Sequence, residues 1–275
     1  MIVLGGSSRQ SLATLRAALD NALKGVSAGD ASAISSDLFK ALVAVDSSTG
    51  LRRALTDSSR DSASKSDLIS DLFKKSLGGP ALSLLAAATA LRWSSPSGIA
   101  DAIEQIAVEA EASAANLGDT LDQVQSEIFH FSKLLIENPD LRTALSERAQ
   151  SPESKQALLK SIFGAKFAAS TNNLLTHSVE GRRARSIEKT IAAYSHAVTA
   201  RRNRVNAHIK SSIALSDGQA KKLADSLTKK IGQPVHLNIE IDPSVLGGIS
   251  IRFGDEVIDG TISNRLAEAS RALVS

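Results

Sequence analysis

"LRRALTDSSRDSASKSDLISDLF" (residues 51–73) returns as "LRTALSERAQSPESKQALLKSIF" (residues 141–163), ninety positions further on and without a gap. Leu51, Arg52, Ala54, Leu55, Ser64, Lys65, Leu68 and Phe73 recur as Leu141, Arg142, Ala144, Leu145, Ser154, Lys155, Leu158 and Phe163. The same register carries Phe39 to Phe129 upstream, and Leu84, Leu85 and Arg92 to Leu174, Leu175 and Arg182 downstream. Two unrelated Ala- and Leu-rich segments do not hold one register that far, so the chain contains a duplication. A duplication decides the fold, because both copies must then be read as the same unit.

The punctuation of the copies agrees with the alignment. Asn138 before Pro139 suits a helix N-cap followed by proline at the first helical position, and the aligned Ser48 is also a good cap. Ser151 before Pro152 repeats the device, with Asp61 as its counterpart. The apolar face of the next helix is expected at Leu68, Leu72 and Phe73, and again at Leu158, Ile162 and Phe163. Each copy therefore reads as a bundle of about five or six short helices. The first opens with 8–24, where Leu12, Leu15, Leu19 and Leu23 form a helical stripe. The segment 99–117, with Ile103, Ile106, Val108 and Leu117, closes the first copy. By the same offset it aligns with the opening helix. One helix is thus expected to end the first bundle and begin the second, making a rigid pair without a loose linker.

The pattern changes after Arg204. "VNAHIKSSIAL" (205–215) alternates Val205, Ala207 and Ile209 as a half-buried strand does. Ser216 and Gln219 form a capping-box pattern before Ala220, Leu223, Ala224, Leu227 and Ile231. Gly232 and Pro234 end that helix. "VHLNIEI" alternates again, a hairpin is expected from 249 to 259, and a final helix runs through Ile262, Leu266, Ala269 and Leu273. The expected fold is mainly α: a first helical bundle (1–112), its duplicate (113–204) and a small α/β domain with a β-hairpin (205–275).

Bulk properties set limits. In 275 residues, 43% are hydrophobic but only 3% aromatic, which favours helices packed through small side chains over a β-sandwich. Cysteine is absent, which excludes disulfides and thiolate metal sites and fits a reducing compartment. No run approaches the roughly 18–20 apolar residues of a membrane span, and "MIVL" is too short for a signal core. The chain is expected to be soluble, at most working beside a membrane. A formal net charge of +3 permits an acidic or nucleic-acid partner without demanding one.

"LGGISIRFGDEVIDG" (246–260) is the one stretch dense enough in glycine to suggest a phosphate cradle. It matches neither GxxxxGK[ST] nor GxGxxG, and strand residues rather than a helix N-terminus follow Gly247-Gly248. A hairpin fits in detail: a tight turn at Gly247-Gly248, a two-residue turn at Gly254-Asp255, and Asp259-Gly260 before a helix capped by Thr261.

The stretch "DPSVLGGISIRFGDEVIDGTISNRLAEASRAL" (242–273) resembles the C-terminal signature of the delta subunit of F-type ATP synthases, the oligomycin-sensitivity-conferring protein of mitochondria. The residues carrying the resemblance are Gly247, Gly248, Gly254, Asp255, Val257, Ile258, Asp259, Gly260, Thr261, Arg265 and Leu266. "NAHIKSSIALSDGQAKKLADSLTKKIGQPVHL" is similar to the family's preceding strand and helix. Residues 120–204 resemble its N-terminal helical domain through "NPDLRTAL", "SPESKQALLKSIFG" and Asn172-Asn173-Leu174-Leu175. The usual member has one such domain. Two resemble the actinobacterial members, in which the domain is duplicated and is sometimes fused behind the b-type stalk helix. The chain is expected to be either an unfused delta subunit or part of such a fusion.

The resemblance implies a non-catalytic stator subunit, without cofactor, metal or catalytic residue, peripheral at the cytoplasmic face of the cell membrane. Its implied partners are the N-terminal segments of the alpha subunits, received as helices in a groove of the helical domain, and the C-terminal end of the b-type stalk, met near the final helix and hairpin. By position the groove falls on Leu12, Leu15 and Leu19, although the same stripe equally suits an ordinary core.

Other features are weaker. Arg182, Arg183, Arg185, Arg201, Arg202 and Arg204 form a basic run that reads as a solvated helix face or a surface docking an acidic partner. The alternative, a basic helical adaptor binding nucleic acid, has only Tyr194 for stacking and no recognition motif. His130, His177, His196, His208 and His236 show no metal-ligand spacing. Trp93 reads as packing, and no nucleophile elbow exists.

Overall fold

The computed structural model describes residues 6–147, 149–180, 185–231, 235–242, 245, 247–253 and 256–259. The chain divides into two compact units, Met1–Thr199 and Ala200–Ser275. The architecture is mainly α with a small α/β unit.

The first unit contains α1 (Gly6–Ala22), α2 (Ala28–Ser47), α3 (Thr49–Thr56), α4 (Ser62–Phe73), α5 (Gly79–Ala90), α6 (Pro96–Leu117), α7 (Leu121–Glu137), α8 (Pro139–Ser146), α9 (Pro152–Phe163), α10 (Ala169–Glu180) and most of α11 (Ile187–Val205). The duplication is visible in these bounds. Helices α3, α4 and α5 return ninety residues later as α8, α9 and α10 with identical starts and ends, and α1 begins as far before α6.

The caps explain why the starts coincide. Ser48 accepts from the Leu51 amide at 3.1 Å, Asp61 from the Ser64 amide at 2.9 Å and Ser151 from the Ser154 amide at 3.2 Å. Asn138 differs from expectation. Its Nδ2 donates to the Leu134 carbonyl at 3.0 Å, so it closes α7 and leaves the start of α8 to Pro139.

Helix α6 is the axis of the unit. It packs against α1, α2, α3 and α5 of the first copy and against α7 and α10 of the second. Nearly every residue from Gly98 to Asn116 is buried. A helix enclosed on all sides must be apolar or small all round, and seven alanines between Ala100 and Ala115 meet that need while favouring the helix. One helix serves both bundles, as the repeat register implied.

The repeated face of α4 and α9 lies one step from where Leu68 and Leu72 put it. Lys65, Ile69 and Phe73 are buried in one copy and Lys155, Leu159 and Phe163 in the other, while Leu72 is 50% exposed. Lys65 Nζ donates to the Asp57 carbonyl just past α3, at 3.4 Å. The lysine stem fills the interface while its amine satisfies a helix-end carbonyl.

The second unit contains β1 (Asn206–Ser211), α12 (Asp217–Ile231), β2 (His236–Ile241), β3 (Ile249–Phe253) and β4 (Glu256–Asp259). Val205 ends α11 instead of opening the strand. The sheet order is β2-β1-β3-β4, with β1 and β2 parallel across the α12 crossover and the other pairs antiparallel. Ser216 and Gln219 form the expected capping box, at 2.9 and 3.4 Å. Leu223, Leu227 and Ile231 of α12 pack on Ala207, Ile209, Leu237, Ile239, Ile249 and Ile251. Gly247 and Gly248 have φ of 72° and 84°, the left-handed turn that glycine was expected to make. Phe253 pairs with Glu256, the register of a hairpin. Gly254, Asp255, Gly260, Arg265 and the expected final helix lie outside the described residues, and Asp259 closes β4.

Candidate docking surfaces

The leucine stripe of α1 is core. Leu12 is 7% exposed, and Leu15 and Leu19 are fully buried. Of the two readings left open by the sequence, the structure takes the core one. These three side chains present no groove, because the stripe is the side by which α1 packs on α5 and α6. The outward side of α1 carries Arg9, Gln10, Ala13, Thr14 and Ala17 instead.

The basic run is likewise not one solvated face among the described residues. Arg201 is 1% exposed. Arg185 is ion-paired with the buried Glu104 of α6. Arg202 is half-buried, and Arg182, Arg183 and the side chain of Arg204 lie outside the described residues. A continuous electrostatic stripe, which nucleic-acid binding needs, is not formed by the described arginines.

Glu104, the partner of Arg185, is one of three buried glutamates that composition alone did not single out. Glu104, Glu109 and Glu111 all sit on α6. Glu109 takes a salt bridge from Arg16 of α1 at 2.6 Å and a bond from Gln105 at 3.0 Å. Glu111 accepts from Ser32 of α2 at 3.0 Å and from Asn173 of α10 at 3.2 Å. Asn173 also donates to the Ser32 hydroxyl at 3.2 Å, closing a triangle between the two copies. The signal was present in the sequence as carboxylates inside an apolar helix. A buried carboxylate demands a partner, and the partners here come from both copies.

The perturbed carboxyls are structural. Hydrogen bonds from the hydroxyl and then the amide of Ser27, Ser59 and Ser64 hold Asp30, Asp57 and Asp61 below the usual carboxylate range. Glu153 is lowered by its own amide and by Ser151. All four are exposed caps or turns, not a converging acid and base. Trp93 donates from Nε1 to the Ala88 carbonyl at 2.8 Å, beyond the end of α5. A groove of about 450 Å³ between α9 and α10 is lined by polar side chains including Gln156, Lys160, Asn172 and Thr176. Among the described residues no group of three or more His, Asp or Glu is placed to hold a metal, and no helix is long and apolar enough to cross a membrane.

Comparison with known proteins follows the architecture. The family model described as ATP synthase delta (OSCP) subunit matches residues 100–273, beginning inside α6. The ATP synthase subunit delta of Streptomyces griseus is 36% identical over 98% of this chain and 99% of its own length. That of Streptomyces coelicolor is 37% identical over 98% of both chains, and that of Thermobifida fusca is 34% identical over the same shares. A chain in the cryo-EM structure of the Toxoplasma gondii mitochondrial ATP synthase hexamer aligns over 61% of this chain and 97% of its own, with a TM-score of 0.32 and 21% identity.

Proposed function

Because the chain belongs to the ATP synthase delta (OSCP) subunit family, a structural and non-catalytic one, we propose that it is the peripheral-stalk (stator) subunit joining the catalytic head of a proton-translocating ATP synthase to its membrane-anchored b-type stalk. Such a connector transmits force without chemistry. It holds the head still while the central rotor turns. Stiffness and extensive interfaces serve that purpose.

The observation that carries this reading is the placement of the additional copy. The family match begins in α6, while the actinobacterial relatives match across the first copy as well. The first copy is thus built onto the family's unit through that unit's own first helix. A shared helix, buried along most of its length and tied on both sides through its glutamates, disfavours a hinge between the copies. Close-packed interiors deform little, so the duplication lengthens the connector without softening it.

In this reading the helical unit receives N-terminal segments of the alpha subunits as amphipathic helices. The α/β unit meets the C-terminal end of the b-type stalk near the β3–β4 hairpin, where Val257 is 57% exposed. The chain sits peripherally at the cytoplasmic face of the membrane and inserts nothing into it. The test is a pull-down of the full chain with immobilised alpha N-terminal and b-type C-terminal peptides. Both are expected to retain it. Failure of both, with circular dichroism showing a folded chain, overturns the reading.

A further inference from the structure

The duplicated helices α2 and α7 bury different surfaces. Five positions face the bundle core in both copies: Ala31 and Leu121, Ile34 and Val124, Leu38 and Ile128, Ala41 and Phe131, Val45 and Leu135. On α2 a further strip, Phe39 and Leu42, is also buried, at 3% and 3% exposure. Phe39 is met by rings of the second copy. His177 of α10 stacks on the Phe39 ring at 4.1 Å, and Tyr194 of α11 lies at 6.0 Å. On α7 the residue aligned with Phe39 is open and Ser132, aligned with Leu42, is half-buried. Phe129 is 58% exposed and Ile136, one turn beyond Lys133, is 72% exposed.

Where the first copy has Leu42, the second has Ser132. Yet Phe129 is retained, and at 136 the second copy carries isoleucine where the first has Asp46. The apolar pair on α7 is thus spaced over seven residues, 129 to 136, against three on α2, 39 to 42. Lys133 sits between the two apolar residues, its Nζ 5.1 Å from the centre of the Phe129 ring.

We propose that the Phe129–Lys133–Ile136 face of α7 docks an amphipathic helix of a partner subunit. Residues 129 to 136 span about 10 Å of helix axis, two turns of a helix lying alongside. The covered twin face on α2 is met by a helix that presents a ring to Phe39, so the partner helix carries an aromatic or aliphatic stripe. Lys133 sets the charge: a carboxylate beside that stripe meets the amine while the stripe covers Phe129. The proposal rests on the stator reading for the source of the helix.

The chain has no cysteine, so Phe129→Cys and Ile136→Cys each give it a single thiol. Maleimide labelling is timed on the isolated full chain and on the purified ATP synthase containing it. Both thiols are expected to react fast in the isolated chain and about tenfold slower in the complex. Benzoylphenylalanine at position 129 is then expected to cross-link to a helical segment of another subunit. Equal labelling rates, with the chain present in the complex, overturn this docking face and leave the stator reading standing. Slow labelling of the isolated chain, or a cross-link to another copy of it, means that the chain covers this face itself, and overturns the proposal. A chain that does not enter the complex removes the stator reading and this inference together.

Discussion

The imidazole of His177 lies flat on the ring of Phe39, with 4.1 Å between centroids and 14° between planes. These residues belong to different copies of the repeat, and their contact shows that the two bundles share one core. His177 is itself held by Glu180, whose Oε2 lies 2.7 Å from Nδ1. The aligned Phe129 has no comparable cover, although the sequence presents both phenylalanines at the same place in the same helix.

Truncating the two should therefore differ sharply. Phe39→Ala is expected to cost about 3–5 kcal/mol, the usual loss for a buried phenylalanine. Phe129→Ala should stay within about 0.5 kcal/mol in the isolated chain, as exposed substitutions do. Urea denaturation of the two variants checks this. Equal losses would mean that α7 is covered by the chain's own residues.

The salt bridge between Arg16 and Glu109 ties α1 to the axis helix. Glu109 is fully buried and Arg16 is only 24% exposed at its side chain. Arg16→Ala takes the guanidinium from a carboxylate inside the core, and is expected to cost about 3 kcal/mol. Removing both charges together, Arg16→Met with Glu109→Leu, should restore most of that loss, because no buried charge then remains. A double variant as unstable as Arg16→Ala would show that side-chain packing, and not charge burial, dominates at this position.

Acid sensitivity should be traceable to the cap of α4. Ser64 donates to Asp61 from its hydroxyl at 2.6 Å and from its amide at 2.9 Å. Both bonds favour the ionised form, so the folded pKa lies below the unfolded one. Stability from this cap is complete above the ordinary carboxylate range, about pH 4. It is lost as pH falls through the depressed folded value. Asp61→Ser installs the residue that the second copy uses at Ser151, which caps without titrating. The stability gap between wild type and variant should shrink steadily on acidification in a urea series. A gap that does not change with pH would sink this account.

Much of this was legible because duplication supplies an internal control. The helix starts at Ser48, Asp61 and Ser151 followed from cap chemistry, and the sharing of α6 followed from the offset alone. What stayed hidden depends on tertiary neighbours. Lysine is ordinarily read as exposed, so the buried pair Lys65 and Lys155 displaced the expected faces of α4 and α9 by one position. The stripe Leu12, Leu15, Leu19 has the same period whether it lines a groove or fills a core, and only its packing on α6 decides. Arg201 reads as surface, yet it is buried. Phe39 and Phe129 differ only in what lies opposite them, which a local pattern cannot encode.

The turn before β3 gives a last prediction, confined to the α/β unit. Gly247 and Gly248 have φ of 72° and 84°, where a Cβ crowds the following carbonyl. Gly248→Ala is expected to cost about 1–2 kcal/mol, and the strain should fall on the strand that the turn launches. Gly79, at the start of α5, is the contrast. It lacks a positive φ, and an added Cβ would meet nothing within 4 Å. Gly79→Ala should be neutral or stabilise by about 0.5 kcal/mol, by restricting the unfolded chain. Hydrogen exchange separates the two local effects: Gly248→Ala should speed exchange in β3 and in β1 beside it while leaving α6 protected. Unchanged protection in β3 would mean that the turn relaxes without strain and that glycine is not required there.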